Sequence, residues 1–275
     1  MKNNFKLAIC QIKVFDDKKS NINRALEMIT TSAKNGADII ILPEMFNCPY
    51  DNSKFAEYAE IQEESYTLQS ISKSATDNNV YIIAGSIPEL ENDKIYNSSF
   101  IFNNSGEIIG KYRKIHLFDI ETPEIRFFES DTLNSGNQIG IFDLGFMKIG
   151  IAICYDMRFP ELLRIMALKG VQLIVIPGAF NMITGPAHWE ILIRSRAVDN
   201  QLFVAAASPA RNDELSYVAY GNSMIVDPWG EIIARAGQNE EIVYADINLD
   251  KLKNVRKELP LLKNRRPDIY DLFEK

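Results

Sequence analysis

Cys154 is the first residue whose setting could do chemistry. It closes the apolar run 149–153 (IGIAI), and the segment that follows, 158–162 (RFPEL), reads as a helix start. The thiol therefore sits at a strand-to-helix bend. Such a bend exposes a nucleophile, and the adjacent helix N-terminus favours its thiolate. The competing reading is a buried, inert cysteine, the commoner fate of a free thiol. Cys10 lies inside the first apolar run and reads as core, while Cys48, in a loop four residues after Glu44, reads as structural.

A cysteine nucleophile needs a base and a partner for the oxyanion. The chain has two histidines, His116 and His188, so a Cys–His hydrolase is one candidate. A carboxylate is the other candidate base. Glu44 follows 37–43 (ADIIILP), and the C-terminal end of a buried strand is where open α/β sheets place their sites. The bland alternative is a carboxylate facing water, as most of the 37 acidic residues must. Lys114 ends the basic run 111–114 (KYRK) and is the matching cation, whereas Lys111 reads as a solvated edge.

The elements that must hold these residues follow from periodicity. Apolar runs predict strands over 5–14, 38–42, 80–85, 96–102, 107–111, 139–144, 148–154, 171–176, 202–207, 222–226, 232–234 and 242–246. Helical spacing predicts helices over 21–34, about 53–78, 160–169 and 186–200, the first stopping at Gly36 and the third at Gly170. Strands and helices interleave with no repeat and no linker, which means α/β with hairpins among the parallel crossovers. There are more strands than one doubly wound sheet usually holds, so two stacked sheets are expected. The tail 249–275 is charged and short of apolar residues, and is expected to pack on the surface or on another subunit.

Composition narrows the function. With 275 residues, 46% hydrophobic and 24% charged, the chain fits one domain, 1–275, that needs no disulfide or metal staple. A net charge of −7 argues against nucleic acid or an anionic membrane as the main partner. Three cysteines make no disulfide framework and suit a reducing, cytoplasmic compartment. Two histidines, no Cys-x-x-Cys and no glycine-rich phosphate loop predict no metal and no organic cofactor. No apolar run approaches the ~20 residues of a membrane span, and no signal peptide is evident.

Three longer blocks bring the isolated signals together: 42–46 (LPEMF), 111–119 (KYRKIHLFD) and 150–162 (GIAICYDMRFPEL). In this order, with 70 residues from Glu44 to Lys114 and 40 from Lys114 to Cys154, they resemble the glutamate, lysine and cysteine motifs of the nitrilase superfamily of carbon–nitrogen hydrolases. The resemblance runs from about residue 5 to 270. It implies an α-β-β-α sandwich of two mixed sheets flanked by helices, with subunits pairing as a homodimer or higher homo-oligomer so that the sandwiches stack. It also implies Cys154 as nucleophile, Glu44 as general base, Lys114 as oxyanion stabiliser and Glu129, in 127–130 (FFES), as a second active-site acid. The backbone N–H of Tyr155 would join Lys114 at the oxyanion, and His116 becomes a packing or hydrogen-bonding neighbour.

Further blocks, 112–120 (YRKIHLFDI), 177–190 (PGAFNMITGPAHWE), 194–201 (RSRAVDNQ) and 207–211 (ASPAR), look like the omega-amidase branch. That branch hydrolyses the terminal amide of α-keto acid monoamides such as 2-oxoglutaramate and 2-oxosuccinamate. Such a substrate carries a carboxylate at its far end. Arg158 would bind it bidentately, Thr184 would add a hydroxyl donor and Phe180 would wall the carbon chain. The alternative for Arg158 is a structural pair with Asp156 or Glu161. The charged segment 121–130 (ETPEIRFFES) departs from the branch's pattern, and at the pocket rim it would bear on substrate breadth. An N-carbamoyl amide hydrolase is the runner-up within the superfamily, and a catalytically idle binding or regulatory protein the rival from another class.

Overall fold

A computed structural model of the chain describes residues 3–121 and 126–274. Residues 122–125, the centre of the charged departure, lie outside the described residues. The chain opens with β1 (Asn4–Gln11), α1 (Lys18–Lys34) and β2 (Ile39–Ile41). Then come α2 (Asn52–Tyr58), α3 (Tyr66–Asn78), β3 (Tyr81–Glu91), β4 (Lys94–Phe102) and β5 (Ile108–Arg113). A small hairpin of β6 (Asp119–Glu121) and β7 (Arg126–Phe128) leads into β8 (Gly140–Asp143), β9 (Lys148–Ile151) and α4 (Pro160–Leu168). The second half continues through β10 (Leu173–Pro177), α5 (Thr184–Asn200), β11 (Phe203–Ala207), β12 (Met224–Val226) and β13 (Ile232–Arg235). It ends with β14 (Glu241–Asn248) and α6 (Leu249–Glu258).

The strands form two six-stranded mixed sheets, ordered β14-β1-β2-β3-β4-β5 and β13-β12-β11-β10-β9-β8. Each has a parallel centre, β1-β2-β3 and β9-β10-β11, flanked by antiparallel pairs. Alternation along β1 divides the burial: Leu7 and Ile9 join the core shared with the second sheet, while Ala8 and Cys10 pack under α1 and α3. The parallel strands are buried on both faces, which is why they read as continuous Ile/Val runs. With α1 and α3 outside one sheet and α4 and α5 outside the other, the layers are helix, sheet, sheet, helix.

Four expectations need correction. The helix over 53–78 is two helices separated by an extended stretch at Ala59–Ile61 and a short 3-10 turn, Gln62–Glu64. The strand over 80–85 runs on to Glu91 and folds back on β4 through Asn92 and Asp93, both with positive φ. β1 stops at Gln11, where its partner β14 begins at Glu241, so Ile12 and Val14 are buried without being strand. Part of the tail belongs to this chain's own core: α6 buries Leu249, Leu252 and Val255. Beyond it, Ile269, Tyr270 and Phe273 are exposed. No described helix is long and apolar enough to cross a membrane.

Candidate active site

β9 carries the chain into the bend at Cys154, whose φ is +49°. That left-handed conformation is uncommon for a residue with a side chain and marks a locally constrained site. The five residues Cys154–Arg158 form a 3-10 turn, and α4 begins only at Pro160. The expectation that a helix N-terminus favours the thiolate is therefore corrected. Burial pushes the Cys154 thiol well above its ordinary value, and the charge of the nearby Glu44 carboxylate pushes the same way. The resting group is a thiol that needs a base.

Glu44 lies three residues past β2, wholly buried. A bulge in β3 sets its position. Gly85 there has φ +26°, and a Cβ on it would lie 1.9 Å from the Pro43 carbonyl oxygen. Only glycine admits the 42–44 segment this close. Ser86 seals the contact: its N–H donates to Pro43 O at 3.3 Å and its Oγ accepts from Met45 N–H at 3.1 Å. Glu44 Oε2 accepts the Ala179 N–H at 2.7 Å, and Oε1 accepts from Asn97 Nδ2 at 2.9 Å and Lys114 Nζ at 3.1 Å.

Lys114 follows β5 and is also wholly buried. Its ammonium donates to Glu129 Oε1 at 2.8 Å as well as to Glu44. Glu129 is fixed in turn by the Phe118 N–H on Oε2 at 2.6 Å and by a short hydrogen bond from the Tyr50 hydroxyl. Tyr50, which sequence reasoning missed, thus joins the set, and Tyr217 packs against it at a tilt with ring centroids 4.6 Å apart. Nothing in the local sequence marks either tyrosine, because both reach the site from loops.

One cation between two buried carboxylates leaves excess negative charge beside the thiol. Burial raises the pKa of Glu44, the Lys114 ammonium lowers it and Glu129 raises it, with a net upward shift. Burial also works against the Lys114 ammonium, but Glu129 and Glu44 outweigh it and hold its pKa above the usual lysine range. The site therefore brings together a buried cation, a carboxylate of raised affinity for protons and a thiol of raised pKa.

Beside this set opens a cleft of about 640 Å³ whose lining includes Tyr50, Phe127, Phe128, Asn181 and Tyr217. The 126–128 part of the charged segment is thus at the rim. Arg158 pairs with neither Asp156 nor Glu161. Its guanidinium lies 4.8 Å from the Phe180 ring centroid and 5.7 Å from that of Tyr155, and its Nη1 contacts His188 Nδ1 at 3.2 Å. Its Nε has no hydrogen-bond partner among the described residues. Thr184 turns its hydroxyl to Asn181 Oδ1 at 3.0 Å, so that donor is engaged within its own turn. His116 stacks on Phe159 at 3.7 Å and bonds Asp156 through Nδ1 at 2.8 Å. Cys154 has no hydrogen bond to a histidine among the described residues, which removes the geometric basis for a Cys–His pair. Nor do the described residues include a group of three or more His, Cys, Asp or Glu placed to hold a metal ion.

The carbon–nitrogen hydrolase profile matches residues 6–257, which contain the whole of this set. The chain belongs to the carbon–nitrogen hydrolase family. It is 50% identical to the omega-amidase NIT2 of Mus musculus over 273 residues, covering 98% of each chain. It is 51% identical to the omega-amidase NIT2 of Homo sapiens over 268 residues, covering 97% of this chain and 96% of that one. Among solved structures, Saccharomyces cerevisiae Nit3, a member of branch 10 of the nitrilase superfamily, superposes with a TM-score of 0.90 at 43% identity, covering 97% of this chain and 98% of that one. In this carbon–nitrogen hydrolase the Glu44, Lys114 and Cys154 motifs converge from elements 40 and 70 residues apart.

Proposed function

We propose that the protein is an omega-amidase, hydrolysing the terminal amide of α-keto acid monoamides such as 2-oxoglutaramate and 2-oxosuccinamate to the dicarboxylate and ammonia. The observation that carries this reading is the buried Cys154 thiol near a buried Glu44 that shares the Lys114 ammonium with Glu129. In the proposed reaction Glu44 takes the thiol proton as sulfur attacks the amide carbon. The oxygen becomes an anion held by Lys114 and the Tyr155 N–H, each worth about 2.7–4 kcal/mol by analogy with other oxyanion donors. Collapse breaks the C–N bond, and Glu44 returns the proton so that ammonia leaves. Water, deprotonated by Glu44, then attacks the thioester, the C–S bond breaks and the thiol is restored. Glu129 and Tyr50 keep Lys114 in place through both halves.

Arg158 is the proposed reader of the substrate carboxylate. It is a partly buried cation with a donor not engaged by protein, and Phe180 supports it face-on. Thr184 acts in this reading by shaping the Asn181 turn at the cleft wall. Arg158→Ala is expected to lose roughly ten- to a hundredfold in kcat/KM toward 2-oxosuccinamate, the worth of a charge-assisted hydrogen bond of about 1.5–3 kcal/mol. It should lose much less toward an uncharged amide of equal length. Equal losses on both substrates would mean that Arg158 only shapes the nucleophile turn.

The proposal extends to assembly and location. Ile191 and Val198 on α5 and the neighbouring Trp229 line one exposed groove of the helical layer, and they support pairing of two copies through it. All three cysteines are free, which suits a cytoplasmic protein.

A further inference from the structure

Asp156 lies two residues after the nucleophile and is wholly buried. Its carboxylate accepts four hydrogen bonds. Oδ2 takes the Ile153 N–H at 2.8 Å and the Tyr112 hydroxyl at 2.7 Å. Oδ1 takes the His116 N–H at 2.9 Å and His116 Nδ1 at 2.8 Å. The chain positions matter. Tyr112 and His116 stand on either side of Lys114, and Ile153 stands on the other side of Cys154 from Asp156. One carboxylate therefore ties the segment that carries the ammonium to the bend that carries the thiol. Among the described residues, no other side-chain hydrogen bond joins 112–116 directly to 153–156.

The Lys114 ammonium donates to Glu44, Glu129 and Tyr50, and none of these three lies on the bend. The bend is closed from the Asp156 side twice, by the side chain on Ile153 N–H and by its own N–H on Ile153 O at 3.0 Å. His116, stacked on Phe159 at the head of α4, keeps the second half of the clamp rigid. All four acceptor directions of the carboxylate are used, and an amide in its place would turn an N–H toward two of these donors.

We infer that Asp156 is a positioning residue for the oxyanion pocket, setting the register between the Lys114 ammonium and the bend at Cys154 without touching the substrate. The inference rests on the amidase reading above. It predicts a separation between two reactions of the same thiol. Amide hydrolysis develops an oxyanion and depends on that register. Alkylation by iodoacetamide forms a C–S bond as iodide leaves, with no oxyanion, and does not.

The test uses the full chain. Asp156→Asn and Tyr112→Phe are compared with wild type for kcat and KM on 2-oxosuccinamate, for the alkylation rate at Cys154 by mass spectrometry, and for Tm. In Asp156→Asn, kcat is expected to fall by about a hundredfold or more, the scale of a lost oxyanion donor, with KM within about threefold. Alkylation should stay within about threefold of wild type or rise. Tyr112→Phe, which removes one of the four donors, should give a smaller kcat loss with alkylation again unchanged, and it carries the test if Asp156→Asn does not fold. Parallel loss of alkylation and hydrolysis would overturn the inference in favour of general support of the bend, as would an unchanged kcat in a folded variant. Failure of the amidase reading is distinguishable, because the wild type itself would then release no ammonia.

Discussion

At Glu44, burial and the Lys114 charge pull in opposite directions, and in the proposed mechanism their balance sets the pH range of activity. Burial raises its affinity for a proton, and the Lys114 ammonium only partly offsets this. In the proposed mechanism Glu44 must be ionised to accept the Cys154 proton, so activity is expected to fall as pH drops through a value above the ordinary carboxylate range. On the alkaline side, Glu129 and Glu44 keep Lys114 charged, so it contributes no loss across the neutral range. A kcat/KM profile should therefore show a single acid limb displaced upward and a plateau through roughly pH 7–9. An acid limb at the value of a free glutamate would mean that Glu44 is not the base. The three motif residues were legible in the sequence because each sits in a distinctive block. Asp156 lies inside one of those blocks and still went unassigned, since its partners at 112–116 are brought to it only by folding. The state of the thiol was misread for a similar reason. The approach of a helix is visible in the chain, but a 3-10 turn and a buried carboxylate brought in from another strand end are not.

The elements that aim Glu44 are short, and their placement rests on one glycine. Gly85 combines a positive φ with an approach to Pro43 that no Cβ permits. Gly85→Ala must push the 42–44 backbone away from β3. The expected costs are about 1–3 kcal/mol of stability for the forced shift and on the order of 10²-fold in kcat for a base displaced by about an ångström. Chemical denaturation and steady-state kinetics measure both, and wild-type kcat in that variant would show that the bulge does not set the base. This element was only half legible. The strand over 80–85 is expected to end at Gly85, because glycine usually punctuates one. Here the glycine makes a bulge within the strand, and the chain continues to a turn at Asn92–Asp93. The parallel central strands were the easiest to read, since burial on both faces leaves unbroken apolar runs. The polar helical region expected over 53–78 splits where Ala59–Ile61 become extended.

For the whole molecule, the two sheets mirror each other in order and polarity, and the candidate site forms where their loops meet. Glu44, Lys114 and Glu129 come from the first half, and Cys154 and the Ala179 N–H from the second. Neither half alone supplies all of these groups. The outer helical layer is the proposed contact between copies, so sedimentation equilibrium at micromolar concentration should give a dimer or a multiple of it. Ile191→Glu with Val198→Glu should shift that mass toward the monomer, and a wild-type monomer would remove the pairing from the account. The central claim is a covalent one and can be weighed directly. Wild-type protein is mixed with excess 2-oxosuccinamate, quenched in acid during turnover and examined by intact and peptide mass spectrometry, with Cys154→Ala alongside. The account predicts an acyl adduct on the Cys154 peptide that forms as ammonia is released, and neither adduct nor ammonia from the alanine variant; ammonia release by Cys154→Ala at a rate near wild type, or an adduct on another residue, would contradict it.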